Sequence, residues 1–281
     1  MEIKDLKNIS ISELAEAFNL AFSDYLVPLQ LTEEQLAKKM KNDGVNLDIS
    51  AGAFENGRLV GFILHGKGSF KGLPTAYNAG TGVIPSERGK QITGRLYDFI
   101  LPILKEAQTA QCLLEVITYN GPAIKIYEKI GYERTRELLC FKGSVTKEPI
   151  PLLESFSLNE PDSINSHIYK SFFDWDPSWQ NSFEAIERSR NDLNIITAEK
   201  NEEPVAFITY NPETARVSQF AVKDKYRKQG VGTLLFQELQ KSLKHDISII
   251  NIDSRAFDTI SFLKSIGLKA FLSQYEMIMK L

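Results

Sequence analysis

A mixed α/β fold built twice is what this sequence predicts, on three observations. The chain has 281 residues, long for one compact domain and comfortable for two of about 140 each. Short apolar strand-like runs alternate with helical stripes along its length. Its landmarks also recur in one order. Glu55-Asn56-Gly57 precedes the apolar run Leu59 to Ile63, as Lys200-Asn201-Glu202 precedes Val205 to Ile208. Val83-Ile84-Pro85 leads to Arg88-Gly89-Lys90, as Ala221-Val222 leads to Arg227-Lys228-Gln229. Ile130-Gly131-Tyr132 answers to Ile266-Gly267-Leu268. Ordered self-similarity of this kind points to duplication of one unit.

In the first half, Ile11, Leu14, Phe18 and Phe22 fall at helical spacing. Thr32 and Gln35 fit a capping box for a second helix through Leu36 and Met40. A hairpin is expected over residues 49–65 and a strand over 75–84, running into Pro85 and the Arg-Gly segment. Ile92, Leu96, Phe99 and Ile103 form a helical stripe, with a kink expected at Pro102. A strand over 112–118 leads to Asn120-Gly121-Pro122, a helix start with proline near its first position. The apolar residues 138–141 read as a closing strand.

A boundary is expected at residues 143–151, where a glycine, two prolines and mixed charges cluster. It divides the chain into domains 1–145 and 150–281. The second half has helical stretches around 165–173 and 179–190, then strands at 195–198, 205–210 and 216–222. A helix with Leu235, Leu239 and Leu243 on one stripe follows Gly232. A strand at 247–252 and a short helix at 259–266 complete the order.

Composition narrows the function classes. The formal net charge of −3 lacks the basic excess usual in a nucleic-acid binder. No apolar run approaches the length of a membrane span and no apolar signal core opens the chain, so the expected location is the cytoplasm, away from membranes. Cys112 and Cys140 sit apart in apolar runs and are expected to be buried, reduced thiols. His65, His167 and His245 are scattered, and no metal site is expected.

The strongest chemical signal is Arg227-Lys228-Gln229-Gly230-Val231-Gly232, between a strand and a helix. A helix start offers unpaired backbone N–H groups and the positive end of a dipole, and glycine lets an anion approach the backbone. The R-x-x-G-x-G pattern after a strand resembles the coenzyme A loop of the GNAT acyltransferase superfamily. The resemblance implies two tandem domains, each a mostly antiparallel sheet flanked by helices. It implies acetyl-CoA as acyl donor and no metal. The preceding strand would bind the pantetheine arm through backbone groups of Phe220 and Val222, in the manner of an added strand, and Thr233 would extend the loop. The equivalent segment of the first half is Arg88-Gly89-Lys90-Gln91-Ile92-Thr93, with Val83 before it and Asn120 beyond. There the family pattern would have glycine at Gln91, and glycine or alanine at Thr93. A side chain at Gln91 is expected to crowd a phosphate or force a different backbone.

Acetyl transfer to an amine needs a deprotonated amine, a donor for the tetrahedral oxyanion and a proton for the leaving thiolate. Direct attack needs no cysteine. Leu113-Leu114-Glu115-Val116-Ile117 puts one carboxylate in an apolar strand, where burial favours a base of raised pKa. The run from Asn120 to Tyr132 resembles the family's N-x-x-A-x-x-x-Y-x-x-x-G-[FY] segment, whose tyrosine commonly protonates the thiolate. With the Leu-Glu-Val strand before it, the segment is particularly similar to ribosomal-protein N-terminal-alanine acetyltransferases. The resemblance makes Glu115 the base and Tyr127 the acid. A solvated edge carboxylate and a core tyrosine fit the same residues. In the second half, Asn251 and Leu263 stand at the two positions, and Tyr210, Asp253 and Tyr275 are the remaining candidates for proton work.

The acceptor is expected to be a small-molecule or peptide amine. The resemblance places its cleft along Phe22-Ser23-Asp24-Tyr25-Leu26-Val27-Pro28 in the first half. In the second it follows Phe172-Phe173-Asp174-Trp175-Asp176-Pro177-Ser178-Trp179. Acids beside aromatics suit a cationic amine, and hydrophobic anchoring of a loop suits the same residues. Two further readings stay open: one half binds coenzyme A or supports the fold without catalysis, or the chain is a non-enzymatic acyl-CoA sensor. Nothing in the sequence fixes an oligomeric state.

Overall fold

The computed structural model describes residues 1–27, 29–146 and 156–281. Pro28 and residues 147–155, which take in the second part of the linker expected at 143–151, lie outside them. The elements in chain order are β1 (Glu2–Asp5), α1 (Ile11–Ala21), α2 (Glu33–Asp43), β2 (Ala51–Glu55), β3 (Arg58–Phe70) and β4 (Leu73–Val83). Then come α3 (Ile92–Glu106), β5 (Gln111–Ile117), α4 (Gly121–Ile130), β6 (Glu133–Gly143) and β7 (Ser157–Asn159). The remainder are α5 (Ser166–Tyr169), α6 (Phe183–Arg188), β8 (Asn194–Lys200), β9 (Glu203–Asn211), β10 (Arg216–Val222), α7 (Val231–Ser242), β11 (Ile247–Asp253), α8 (Phe257–Ser265) and β12 (Lys269–Lys280).

Two compact units form. The first is Met1–Thr135 with Tyr275–Leu281, and the second is Arg136–Gln274. The sequence division at 1–145 and 150–281 differs from this because each unit draws a strand from beyond it. In the first unit the order is β1-β2-β3-β4-β5, then the end of β12. In the second it is the main part of β6, then β11-β10-β9-β8-β7. Within β1 to β5, and from β6 through β11 to β7, neighbours are antiparallel except β4 with β5 and β10 with β11, which are parallel. Each unit is thus a mixed, mostly antiparallel sheet with helices against it.

Local chemistry explains the elements. Ser10 with Glu13, and Thr32 with Gln35, form complete capping boxes at α1 and α2. Asn120 caps α4, its Oδ1 accepting from Ala123 N, and left-handed Gly131 ends that helix. Pro102 is accommodated inside α3, which runs on to Glu106. The β2–β3 and β8–β9 hairpins both turn on two residues of positive φ, Asn56 and Gly57 in one, Asn201 and Glu202 in the other. Cys112 and Cys140 are both buried and unbridged. The second half opens with shorter helices than its periodicity predicts: residues 165–173 hold only α5 and one 3₁₀ turn. No helix among the described residues is long and apolar enough to cross a membrane.

Candidate functional site

The two loops after β4 and β10 share one backbone path despite different residues. In the second unit Lys228 and Gly230 take positive φ, 59° and 88°; in the first, Gly89 and Gln91 do so at 82° and 57°. The crowding expected at Gln91 therefore does not redirect the chain, because Gln91 adopts the left-handed conformation that Gly230 holds at the same step. Gln91 and Gly230 are the N-cap residues of α3 and α7, and neither helix has a side-chain cap. The first-turn N–H groups therefore face outward for an acceptor to be supplied by a ligand.

The loop arginines have another role than adding charge to an anion site. Arg88 donates to Val83 O (3.2 Å), to Ala21 O (2.9 Å) and to both oxygens of Asp24 (2.7 Å each). Arg227 repeats this with Val222 O (2.9 Å), Phe172 O (2.7 Å) and Asp174. Each arginine ties the end of the central strand to the segment between the opening helices. Asp24 and Asp174 are therefore partners of guanidinium groups, and Arg88 holds the Asp24 carboxyl below its ordinary range. Of the other loop residues, Lys90 pairs with Glu87 (2.7 Å) and Gln229 folds back onto Lys225 O (2.8 Å). Lys228 is exposed and 3.8 Å from the exposed Asp258.

Coenzyme A fits the second unit on two counts. A cavity of about 430 Å³ is lined by Phe173, Trp175, Phe220 and Val222, by Lys228, Gly230 and Gly232 of the loop, and by Asp258 and Phe262 of α8. A Cβ on Gly232 would stand 3.1 Å from the Phe262 ring, so glycine there admits the ring beside the helix start. The parallel ladder between β10 and β11 pairs Arg216 with Ser248 and Val217 with Ile249, and residues 219–222 run on past it. Their backbone offers an edge to an extended arm. In the first unit the β4–β5 ladder covers Thr75 to Tyr77, and residues 78–83 run on past it in the same way, including Val83. Both central strands carry an irregularity at the same step, between His65 and Leu64 opposite β4, and between Val217 and Gln219 in β10.

Tyr127 and Glu115 stand at the β4–β5 opening. Tyr127 is enclosed by Tyr97 and Tyr132, ring centroids at 6.5 and 5.8 Å. Its hydroxyl bonds to Thr81 and Asn78, and burial pushes the phenol up to about 12, so it stays protonated at neutral pH. Glu115, half-buried, accepts from the Tyr77 hydroxyl at 2.6 Å. Alternation along β5 puts Glu115 on the face of Gln111, opposite that of Cys112, whose thiol bonds to Tyr132. The phenol and the carboxylate thus reach the opening from opposite faces of the sheet.

The second unit has no such pair. Leu263 is fully buried, and Asn251 Oδ1 accepts from Gln274 (2.8 Å). Asp253 is held by Arg136 (3.3 Å) and Arg255 (2.7 Å), which keep its carboxyl at about 2 despite burial. Tyr210 bonds to Ser242 (3.1 Å). Tyr275 belongs to the first unit, under the Arg134 guanidinium.

Sequence reasoning passed over Asn78. It is buried, and its Nδ2 donates to Thr81 Oγ1 (2.7 Å) and Tyr97 Oη (3.0 Å) while Oδ1 accepts from Gly80 N (3.0 Å). The available signal was an amide amid the small residues of an otherwise apolar strand. It also passed over Tyr25, which bonds to the Asn120 side chain and so brings residues 22–27 onto the start of α4. Asn120 is thereby occupied as helix cap and as partner of Tyr25. Among the described residues no cluster suited to a metal ion occurs.

A sheet opened between its central parallel strands, with an uncapped helix start after one of them, appears in both units. This defines a tandem pair of acyltransferase-type domains. Residues 11–132 and 158–267 both match the acetyltransferase (GNAT) family, and the chain belongs to that family. No curated protein sequence matches it. Solved structures share its fold along the whole length. A GCN5-related N-acetyltransferase of Sphaerobacter thermophilus is 12% identical, with a TM-score of 0.73 over 99% of this chain and 95% of its own. A tandem GNAT protein from the clavulanic acid biosynthesis pathway is 12% identical, with a TM-score of 0.72 over 99% and 98%. A putative acetyltransferase of Pyrococcus horikoshii is 15% identical, with a TM-score of 0.70 over 100% and 89%.

Proposed function

We propose that the protein is an acetyl-CoA-dependent N-acetyltransferase whose chemistry resides in the first unit, with Glu115 as base and Tyr127 as acid. The observation that carries this reading is the approach of the two groups to one opening from opposite faces. A thioester threaded between β4 and β5 would present its carbonyl to an amine on the Glu115 side and its sulfur to Tyr127. Glu115 takes the proton of the attacking amine, directly or through a water. The tetrahedral intermediate collapses, and Tyr127, neutral until then, gives its proton to the sulfur as the carbon–sulfur bond breaks. Backbone N–H groups at the irregular step of β4 suit the oxyanion. Coenzyme A, when bound, supplies the activated acyl group. Residues 91–93 and 230–233 would hold its pyrophosphate and residues 80–83 and 219–222 its pantetheine arm.

The test is release of thiol from acetyl-CoA against a panel of amines and peptides. Tyr127→Phe and Glu115→Gln should each lower kcat by about 10²-fold or more, with folding checked by circular dichroism. If both variants kept full activity, the assignment would be wrong. A second reading is favoured by the contrast between the units: the second binds coenzyme A without catalysis. Calorimetric titration then finds two equivalents of coenzyme A, of which Gly232→Leu, whose side chain would crowd Phe262 and the cavity, removes one while turnover persists.

A further inference from the structure

The segments that border the β4–β5 opening carry few acids. Residues 22–27, β4, the turn 84–91, β5 and α4 contain four: Asp24, Glu87, Glu115 and Glu128. Asp24 is gripped through both oxygens by Arg88, itself anchored on Ala21 O and Val83 O. Glu87 pairs with Lys90 and Glu128 with Arg134, each at 2.7 Å. Glu115, the proposed base, accepts from the Tyr77 hydroxyl. The same elements carry Arg88, Lys90, Lys125 and Lys129, so they offer no negative field to a polycation.

What the opening does present is apolar. Tyr25 meets the Phe22 ring edge-on at 5.0 Å and joins Asn120 at the start of the helix that bears Tyr127. On either side of that contact stand Leu26 and Tyr119, which are 50% and 59% exposed. Single exposed apolar residues are ordinary, but two flanking one contact at the mouth of the opening, where the segment after α1 reaches it, form a surface for an apolar body. The aromatic rings also suit a single ammonium group through cation–π attraction.

We propose that the acceptor is a small monoamine carried on an aromatic or branched apolar body, held by Tyr25, Leu26 and Tyr119, and not a polyamine or aminoglycoside. This deepens the proposed function and rests on it. The sequence expectation of acids beside aromatics for a cationic acceptor changes accordingly, because Asp24 is spent on Arg88.

The experiment compares kcat/KM of the full chain for phenethylamine and tryptamine with that for spermidine and kanamycin at fixed acetyl-CoA. It repeats the comparison with Tyr119→Ala and Leu26→Ala, both exposed and so tolerant of truncation. The aryl amines should lead by about tenfold or more, and each variant should raise KM for phenethylamine several-fold while KM for acetyl-CoA stays put. Spermidine or kanamycin as the better substrate would overturn the acceptor class and leave the N-acetyltransferase reading intact. An unchanged KM for phenethylamine in both variants would overturn the assignment of the surface. Turnover of no amine at all would overturn both readings together.

Discussion

Asn78 shows how much one side chain can hold at this opening. Its two amide hydrogens go to Thr81 and Tyr97 and its oxygen takes the N–H of Gly80, so every polar atom of the group is used. Replacing it by alanine strands the Gly80 N–H, which costs about 1–3 kcal/mol, and takes one of their partners from the Thr81 and Tyr97 hydroxyls, which keep Tyr127 and Tyr132. Thr81 would also lose its orientation toward Tyr127. The expected outcome for Asn78→Ala is a fall in kcat that exceeds any change in KM for acetyl-CoA, together with a flattened basic limb of the pH–rate profile. An unaltered profile with a lower melting temperature would reduce Asn78 to a purely structural residue. Glu115 and Tyr127 could be singled out in the sequence because a motif frames them. Asn78 could not, because its role depends on the irregular step of β4, which turns it onto the helix face with Thr81. That step leaves no mark in an alternation pattern.

At the level of elements, caps, hairpin turns and apolar stripes act locally, and for that reason the helices and strands were largely legible. The lengths of the ladders were not. Nothing in residues 216–222 says that pairing with β11 covers only the first two, and the exposed edge that suits coenzyme A follows from that. Side-chain pairing at the loops was hidden likewise, and it alters the electrostatics expected of them. Asp258 at the start of α8 places a carboxylate at the mouth of the second-unit cavity, opposed only by a 3.8 Å pair with the exposed Lys228. Asp258→Asn should tighten coenzyme A binding by about two- to fivefold at low salt, with the gain shrinking as salt is raised. Calorimetry at low and high salt checks this. A gain absent at low salt would mean that no pyrophosphate comes near this mouth.

Over the whole molecule, the units are not the two halves of the chain, since Tyr275–Leu281 completes the first and Arg136 opens the second. Long-range pairing of this sort has no local signature, whereas the repeat that revealed the duplication is a property of order alone. The units also differ in their buried titratable groups, and this gives them separate acid responses. His65, fully buried in the first unit with Nδ1 2.9 Å from Ile49 O, is pushed down to about 4 by burial. Its unfolded form takes up a proton near pH 6.5 and its folded form only near 4, so the folded state loses stability as pH falls between these values. The slope approaches about 1.4 kcal/mol per pH unit, for a total of about 3 kcal/mol. Asp253 in the second unit is depressed to about 2, so its contribution is whole above its unfolded value of about 3.9 and is lost only as pH falls from there to 2. Both tryptophans, Trp175 and Trp179, lie in the second unit and report on it alone. Between pH 6.5 and 4.5, hydrogen-exchange protection of β2 to β5 should therefore decline while the urea midpoint followed by tryptophan fluorescence holds nearly constant. His65→Gln should flatten the first trend without touching the second. Parallel decline of both signals would show that the two units unfold as one, and a flat first trend in the unaltered protein would show that His65 takes up its proton without strain.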